Sequence, residues 1–326
     1  MKEIVITKAN DGQKAEKFVR KYLSMAPLGF IYKAFRKKDI KVNGHWVTKE
    51  AVLHEGDTLR IYVTDQQLED FQKPRPAEKK PFPYPIVYED ESVLIVDKPK
   101  GLLVYGDKTG VRETLGNAVL DYLYLKGEYE PSTSSFVPSP AHRLDRNTSG
   151  LVVYGKTDAA LKALTELFKD RSEISKYYLA LVVGEMERDH GEINKPLRKD
   201  AFSGRVSVCP IEKGGKTALT KYKVVERFPG YTLLELELVT GRTHQIRVHL
   251  ASIGHPIVGD EKYGDFADCR KVKSLCGLDN QFLHAYKMEF GNVDGALKNL
   301  KGKGFETPLP ENLRQVIDLL CPPARK

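Results

Sequence analysis

Two strand-like stretches, Thr217–Val225 and Tyr231–Val239, are joined through Phe228-Pro229-Gly230. A parallel pair needs a crossover of about a dozen residues or more, so a connection this short demands antiparallel neighbours. The remaining elements alternate irregularly. Strands are predicted at Ser92–Asp97, Leu151–Tyr154 and Tyr177–Val183, and helices at Glu113–Leu125 and Ala159–Phe168. An α+β body with a mixed, largely antiparallel sheet follows, rather than a doubly wound parallel one. No internal repeat is apparent.

With 326 residues the chain is long enough for a small and a large domain. Its net charge of +8 is concentrated at one end: residues 1–80 hold 17 Lys+Arg against 11 Asp+Glu. A basic module on a nearly balanced body points to a polyanionic partner, nucleic acid before membrane. Gln13–Leu23 and Phe30–Lys38 have apolar residues at helical spacing, and the second carries Lys33, Arg36, Lys37 and Lys38. Asn43-Gly44 between alternating residues signals a hairpin, and Thr58–Val63 a last strand. Gln66–Lys80 is polar, and prolines at 74, 76, 81, 83 and 85 oppose regular structure. The expected division is residues 1–65, a linker at 66–85, and a body at 86–326. Pro131–Pro140 reads as a surface insertion.

Several classes are disfavoured. Residues 1–8 lack the apolar region of a signal peptide, and no apolar run approaches membrane-spanning length. Cys209, Cys269, Cys276 and Cys321 show neither CxxC nor zinc-like spacing, and read as reduced thiols in a cytoplasmic protein. Gly150–Thr157 fits the phosphate-loop pattern letter for letter. Its Leu-Val-Val-Tyr interior, however, is stiff and strand-forming where that loop needs compact turns.

Three stretches hold chemistry. His142-Arg143-Leu144-Asp145-Arg146-Asn147-Thr148-Ser149-Gly150 sets one carboxylate between two guanidinium groups and ends in a turn-forming run before a strand. Asp145 is a candidate nucleophile or base, because neighbouring Arg favours the ionised form; equally, it could cap a turn beside solvated arginines. Thr240–Leu250 has helical character from Thr243 onward, so Gly241-Arg242-Thr243 would offer free N–H donors at a helix start. His244 and His249, five apart, fall on different helix faces, and no metal site is expected. Ser175–Gly184 is a strand in which Lys176, Tyr178 and Ala180 share a face. A core role for Tyr178 remains as open as a functional one.

The motifs at 142–150, 176–182 and 241–249, with Asp97-Lys98-Pro99-Lys100-Gly101-Leu102 and Phe282-Leu283-His284-Ala285, resemble the RluA family of RNA pseudouridine synthases. The basic helices and hairpin resemble an S4 RNA-binding domain, and Ile31–Ile40 is similar to the S4 segment of the RluC-type branch, which modifies large-subunit ribosomal RNA. The resemblance implies an isomerase with Asp145 as its central catalytic group, Arg247 as the charge partner of Asp145, and Tyr178 against the uracil. It implies that Arg143 holds the target nucleotide out of the stack, while Arg242, His244 and the basic residues at 33, 36, 37 and 38 bind RNA. It implies no metal or organic cofactor, large-subunit ribosomal RNA as partner, no membrane and a monomer. A non-catalytic RNA-binding or ribosome-assembly protein, which needs only the basic module, is the alternative. Tyr105 and Ala141 depart from the family's usual His and Val or Ile.

Overall fold

A computed structural model describes residues 1–26, 28–72, 81–106, 113–130, 134 and 136–320. Proximity divides the chain into two units. One comprises Met1–Pro83, Tyr105–Pro140 and Tyr154–Lys162; the other comprises Tyr84–Val104, Ala141–Val153 and Ala163–Lys326.

In the first unit, β1 (Lys2–Val5), α1 (Ala15–Tyr22), α2 (Leu28–Arg36), β2 (Ile40–Val42), β3 (His45–Trp46) and β4 (Thr58–Ile61) form a small module. Its four antiparallel strands are ordered β1-β4-β2-β3. Asn43 and Gly44 both take positive φ (50° and 85°), the backbone that the Asn-Gly hairpin requires. Phe18, Val19, Ile31 and Phe35 from the helices meet Ile40, Leu59 and Ile61 from the sheet in a closed core. The opposite helix face leaves Lys33 and Arg36 exposed, and Lys37 and Lys38 are exposed in the turn that follows.

The expected linker requires correction. Asp65–Gln72 forms a helix, α3, because Leu68 and Phe71, three apart, reach the module's core; Phe71 packs on Phe30 at 4.5 Å. Pro74 and Pro76 lie outside the described residues. Farther on, Phe82 meets Tyr122 of α4 (Leu115–Leu125) at 4.9 Å, so the segment among the later prolines is packed as well. Of the expected insertion at 131–140, most of the first half lies outside the described residues. Its end is the two-residue strand β7 (Ser139–Pro140).

The large sheet runs β10-β13-β14-β9-β15-β8-β6-β5. In chain order these are β5 (Ile86–Glu89), β6 (Val93–Lys98), β8 (Ser149–Gly155), β9 (Ile174–Val183), β10 (His190–Asn194), β13 (Leu219–Phe228), β14 (Tyr231–Leu238) and β15 (Leu283–Phe290). A separate ribbon pairs β11 (Leu197–Lys199) with β12 (Val206–Val208). The β13–β14 pair is antiparallel, as its short connection requires, and β14–β9 and β9–β15 are antiparallel too; β15–β8 is parallel. The fold is α+β with a mixed, largely antiparallel sheet. Helix α5 (Asp158–Asp170) follows β8, and α6 (Gln245–Ala251) follows β14 and packs on β12 and β13.

All seven residues of β8 are buried, so Gly150–Thr157 begins as a core strand and not as a phosphate loop. Gly150 is there for space. A Cβ at this position would lie 2.2 Å from the Ala285 carbonyl oxygen, and its φ of 115° suits glycine. The loop carrying Asp145 is thereby pinned against β15, in the interior of the sheet.

Candidate active site

Asp145 sits on the loop that enters β8. The loop closes with Thr148 N–H donating to the Asp145 carbonyl at 3.1 Å, while Gln281 Nε2 donates to Thr148 Oγ1 at 3.3 Å and Asn147 hydrogen-bonds Asn280. Beneath it lies Lys98, at the end of β6 and fully buried. Its Nζ donates to three carbonyls: Pro99 (2.8 Å), Leu102 (2.9 Å) and Arg146 (3.0 Å). The last of these ties the opening motif directly to the residue after Asp145. Burial pushes the Lys98 ammonium down to about 7, against the opposing pull of Asp145 and Asp97.

Arg247, on buried helix α6, meets Asp145 a hundred residues away in sequence. Its Nη1 donates to Asp145 Oδ2 at 3.3 Å. Its other edge makes a fork to Asp260: Nε to Oδ2 and Nη2 to Oδ1, both 2.7 Å. Asp260 is itself buried and accepts the backbone N–H groups of Lys262 and Tyr263. Burial alone would lower the Arg247 pKa, but Asp260 and then Asp145 outweigh it, and the net shift is upward. One guanidinium is thus locked by a structural carboxylate and presents its free corner to Asp145.

His244 precedes α6 in the left-handed conformation (φ 52°). Its Nε2 is 3.8 Å from Asp145 Oδ2, and its Nδ1 lies 2.8 Å from the Tyr263 hydroxyl. Tyr263 also accepts the Val206 N–H at 3.1 Å, so its hydroxyl bridges β12 and His244 Nδ1 and fixes the ring with Nε2 toward Asp145. Burial, countered by Asp145, lowers the His244 pKa. The helix start expected at Thr243 is displaced: α6 begins at Gln245, and the Arg242 N–H is already taken by Gln245 Oε1 at 3.0 Å. The free N–H donors expected at 241–243 therefore do not form a helix-end anion site. His249 bonds Thr220 and the Lys195 carbonyl, each at 2.9 Å, a core role. Among the described residues no cluster of His, Cys, Asp or Glu could hold a metal.

On its other side Asp145 opens onto a cavity of about 380 Å³, whose wall includes Arg143, Thr165, Phe168, Lys176, Tyr178 and Leu283. Tyr178, on β9 and 6% exposed, has its pKa raised by burial and then by Asp145, so it enters the site as a protonated phenol. Lys176, on the same strand face, is pushed down to about 8 by burial and then by Arg171. His142 accepts the Val153 N–H at 3.2 Å and stacks on Phe168; burial and then Lys176 drive its pKa to about 3, which keeps the ring neutral. Arg143 is exposed at the mouth. Arg242 is half-buried and anchored by Nε to the Thr217 carbonyl at 3.0 Å. Asp145, Tyr178, Arg247, Arg143, His244 and Arg242 all line this one cavity. Lys33, Arg36, Lys37 and Lys38 belong to the first unit and do not.

Residues 92–252 match the profile of the RNA pseudouridylate synthase family. Ribosomal large subunit pseudouridine synthase C of Vibrio vulnificus is 35% identical over 321 residues, covering 95% of this chain and 93% of that protein. The chain belongs to the RNA pseudouridine synthase family. The Escherichia coli K12 synthase C is 31% identical over 324 residues, covering 98% of this synthase and 97% of its relative. A solved human structure, RNA pseudouridylate synthase domain containing 4, shares the fold with a TM-score of 0.57 at 23% identity, covering 72% of this chain and 92% of that one.

Asp260, Tyr263 and Lys98 are the members of this synthase's site that sequence reasoning did not assign. Gly259 and Gly264 bracket the first two, and an Asp followed by a tyrosine inside a glycine-bounded turn is the signal they left. No local pattern marks Lys98 as buried, since lysine is almost never fully buried unless paired.

Proposed function

We propose that the synthase isomerises specific uridines of large-subunit ribosomal RNA, with Asp145 as the central catalytic group. The observation that carries this is one carboxylate placed between the fixed corner of Arg247 and a cavity walled by Tyr178. The reaction breaks the C1′–N1 glycosidic bond, turns the uracil and joins C1′ to C5; the C5 proton is lost and N1 gains one. It needs no redox partner, donor or metal. Arg247 holds the Asp145 carboxylate in one orientation at no reorganisation cost, because Asp260 has already ordered it. Tyr178 packs against the base as a neutral phenol, and any proton it passes must be its own.

Arg143 enters the stack to hold the target nucleotide out, and single strands or loops are the cheaper substrates because flipping costs a few kcal/mol. Residues 1–65 act as an S4-like domain that lays its exposed basic helix face on folded RNA. Lys38 over Trp46 and Lys41 over Tyr62 add exposed cation–aromatic pairs to that module. The relatives' names support the ribosomal substrate, and we read the chain as a cytoplasmic monomer; among the described residues no helix is long and apolar enough to cross a membrane. Asp145→Asn is expected to abolish pseudouridine formation on transcribed large-subunit RNA while leaving RNA binding nearly intact. Isomerisation by a clean Asp145→Asn preparation would refute the assignment.

A further inference from the structure

Lys176 is buried, yet its ammonium has no carboxylate or hydrogen-bond acceptor among the described residues; Phe168, at 5.4 Å, offers only a ring face. It opens on the cavity beside Gly241. A side-chain carbon built on Gly241 would lie 3.3 Å from Arg171 Nη2 and 3.9 Å from Lys176 Nζ. Two cations therefore converge on a space kept clear by an exposed glycine. Arg171 is fixed there from behind: Nε donates to the Phe168 carbonyl at 3.1 Å and Nη1 to that of Val239 at 3.4 Å, leaving Nη2 toward the gap. Arg242 stands close enough to help lower the Arg171 pKa, after burial itself. Keeping such cations together without a counter-ion is costly, and the cost is recovered when an anion arrives.

We propose that Lys176 and Arg171 form, at Gly241, a subsite for one backbone phosphate of the RNA adjoining the flipped uridine. This rests on reading the cavity as the uridine site. Lys176 and Tyr178 share a face of β9 and stand about 7 Å apart along the strand, so a base against Tyr178 carries its own backbone toward Lys176. Lys176 is a binding and positioning residue here, and it takes no part in the bond changes at Asp145.

The test is RNA binding by the full chain in the Asp145→Asn background, with a large-subunit stem-loop carrying the mapped target uridine. Lys176→Met should weaken binding about tenfold at low salt. It should also flatten the log–log salt dependence by about 0.7 to 0.9, the share of one phosphate. Lys176→Arg should keep the slope. A neutral methylphosphonate at the flanking phosphate should weaken binding by the Asp145→Asn parent but cost little more in Lys176→Met. Gly241→Val, which fills the gap and leaves both cations in place, should weaken binding as well, and decides the matter if Lys176→Met fails to fold. A parental salt slope in folded Lys176→Met, equal methylphosphonate losses in both proteins, or unchanged binding by Gly241→Val would overturn the subsite. Isomerisation of the same RNA by the unmodified enzyme is assayed alongside. Its absence refutes the functional reading, whereas its presence with an unaltered slope refutes the subsite alone.

Discussion

The two sides of Asp145 are built on opposite rules. Toward α6 every charge is matched: Arg247 divides its donors between Asp260 and Asp145, Asp260 also takes two backbone N–H groups, and Lys98 meets three carbonyls. Toward the cavity the cations of Lys176 and Arg171 have no carboxylate among the described residues, and Tyr178 faces open space. The matched side is a frame whose cost is settled on folding. The unmatched side is a receptor whose cost is settled on binding. Both sit in the same unit and each holds buried charge, Arg247 and Lys176 alike at 8% exposed, so burial alone does not tell structure from function; the presence of a partner does.

The frame should break hardest at Arg247. Arg247→Met leaves Asp260 buried, 1% exposed, with its charge uncompensated, and should cost about 3–5 kcal/mol of stability together with all measurable activity. Adding Asp260→Asn removes the stranded charge. Chemical denaturation should then show most of the stability restored while pseudouridine formation stays absent. Recovery of activity in the double variant would mean that Arg247 matters only as a scaffold.

How much of this contrast can be read without coordinates depends on what each residue's partner is. Asp145, Arg247 and Tyr178 are prominent as residue types in motif-bearing stretches, and the antiparallel body follows from strand spacing and short turns. Asp260 is legible only once α6 and the turn after it are folded together, because nothing between positions 247 and 260 signals that the two side chains face one another. Lys98 is hidden for a related reason: its partners are main-chain carbonyls, which every sequence contains. The helix Asp65–Gln72 was masked by its polar composition, in which only Leu68 and Phe71 reveal a buried face. His244 illustrates the limit at element ends. Periodicity carries the helix back to Thr243, but a left-handed residue, invisible to periodicity, stops it at Gln245.

Smaller breaks in the frame come next. Lys98→Met removes the donor from three carbonyls around the Asp145 loop and should cost about 2–3 kcal/mol in thermal or urea unfolding. Because the Arg146 carbonyl is among the three, kcat should fall with it, through displacement of Asp145 and not through lost RNA affinity. Tyr263→Phe is finer still. It deletes the hydroxyl between Val206 and His244 and should cost about 1 kcal/mol. With the hydroxyl beside Nδ1 gone, the His244 tautomer loses one of its two constraints, and the balance between Nδ1–H and Nε2–H forms read from its ring ¹⁵N shifts should change. Unchanged shifts would mean that Asp145 alone sets the tautomer.

The receptor side should respond in the opposite sense. Lys176→Met takes away a buried cation that has no partner, so at pH 7 the variant should be as stable as the parent or more so, by about 1 kcal/mol. The pH dependence separates this from ordinary repacking. Burial and Arg171 hold the folded-state pKa of Lys176 near about 8, whereas the unfolded chain keeps its proton up to the ordinary value of 10.5. Between those limits the unfolded state binds the extra proton, so parental stability rises as pH climbs from about 8 toward 10. Lys176→Met lacks that rise, and the gap between the two proteins, measured as unfolding midpoints in urea, should close over the same window. A gap that stays constant with pH would place the penalty in packing and remove the charge argument. A gap that closes while RNA binding weakens would show stability given up at Lys176 in exchange for an anion.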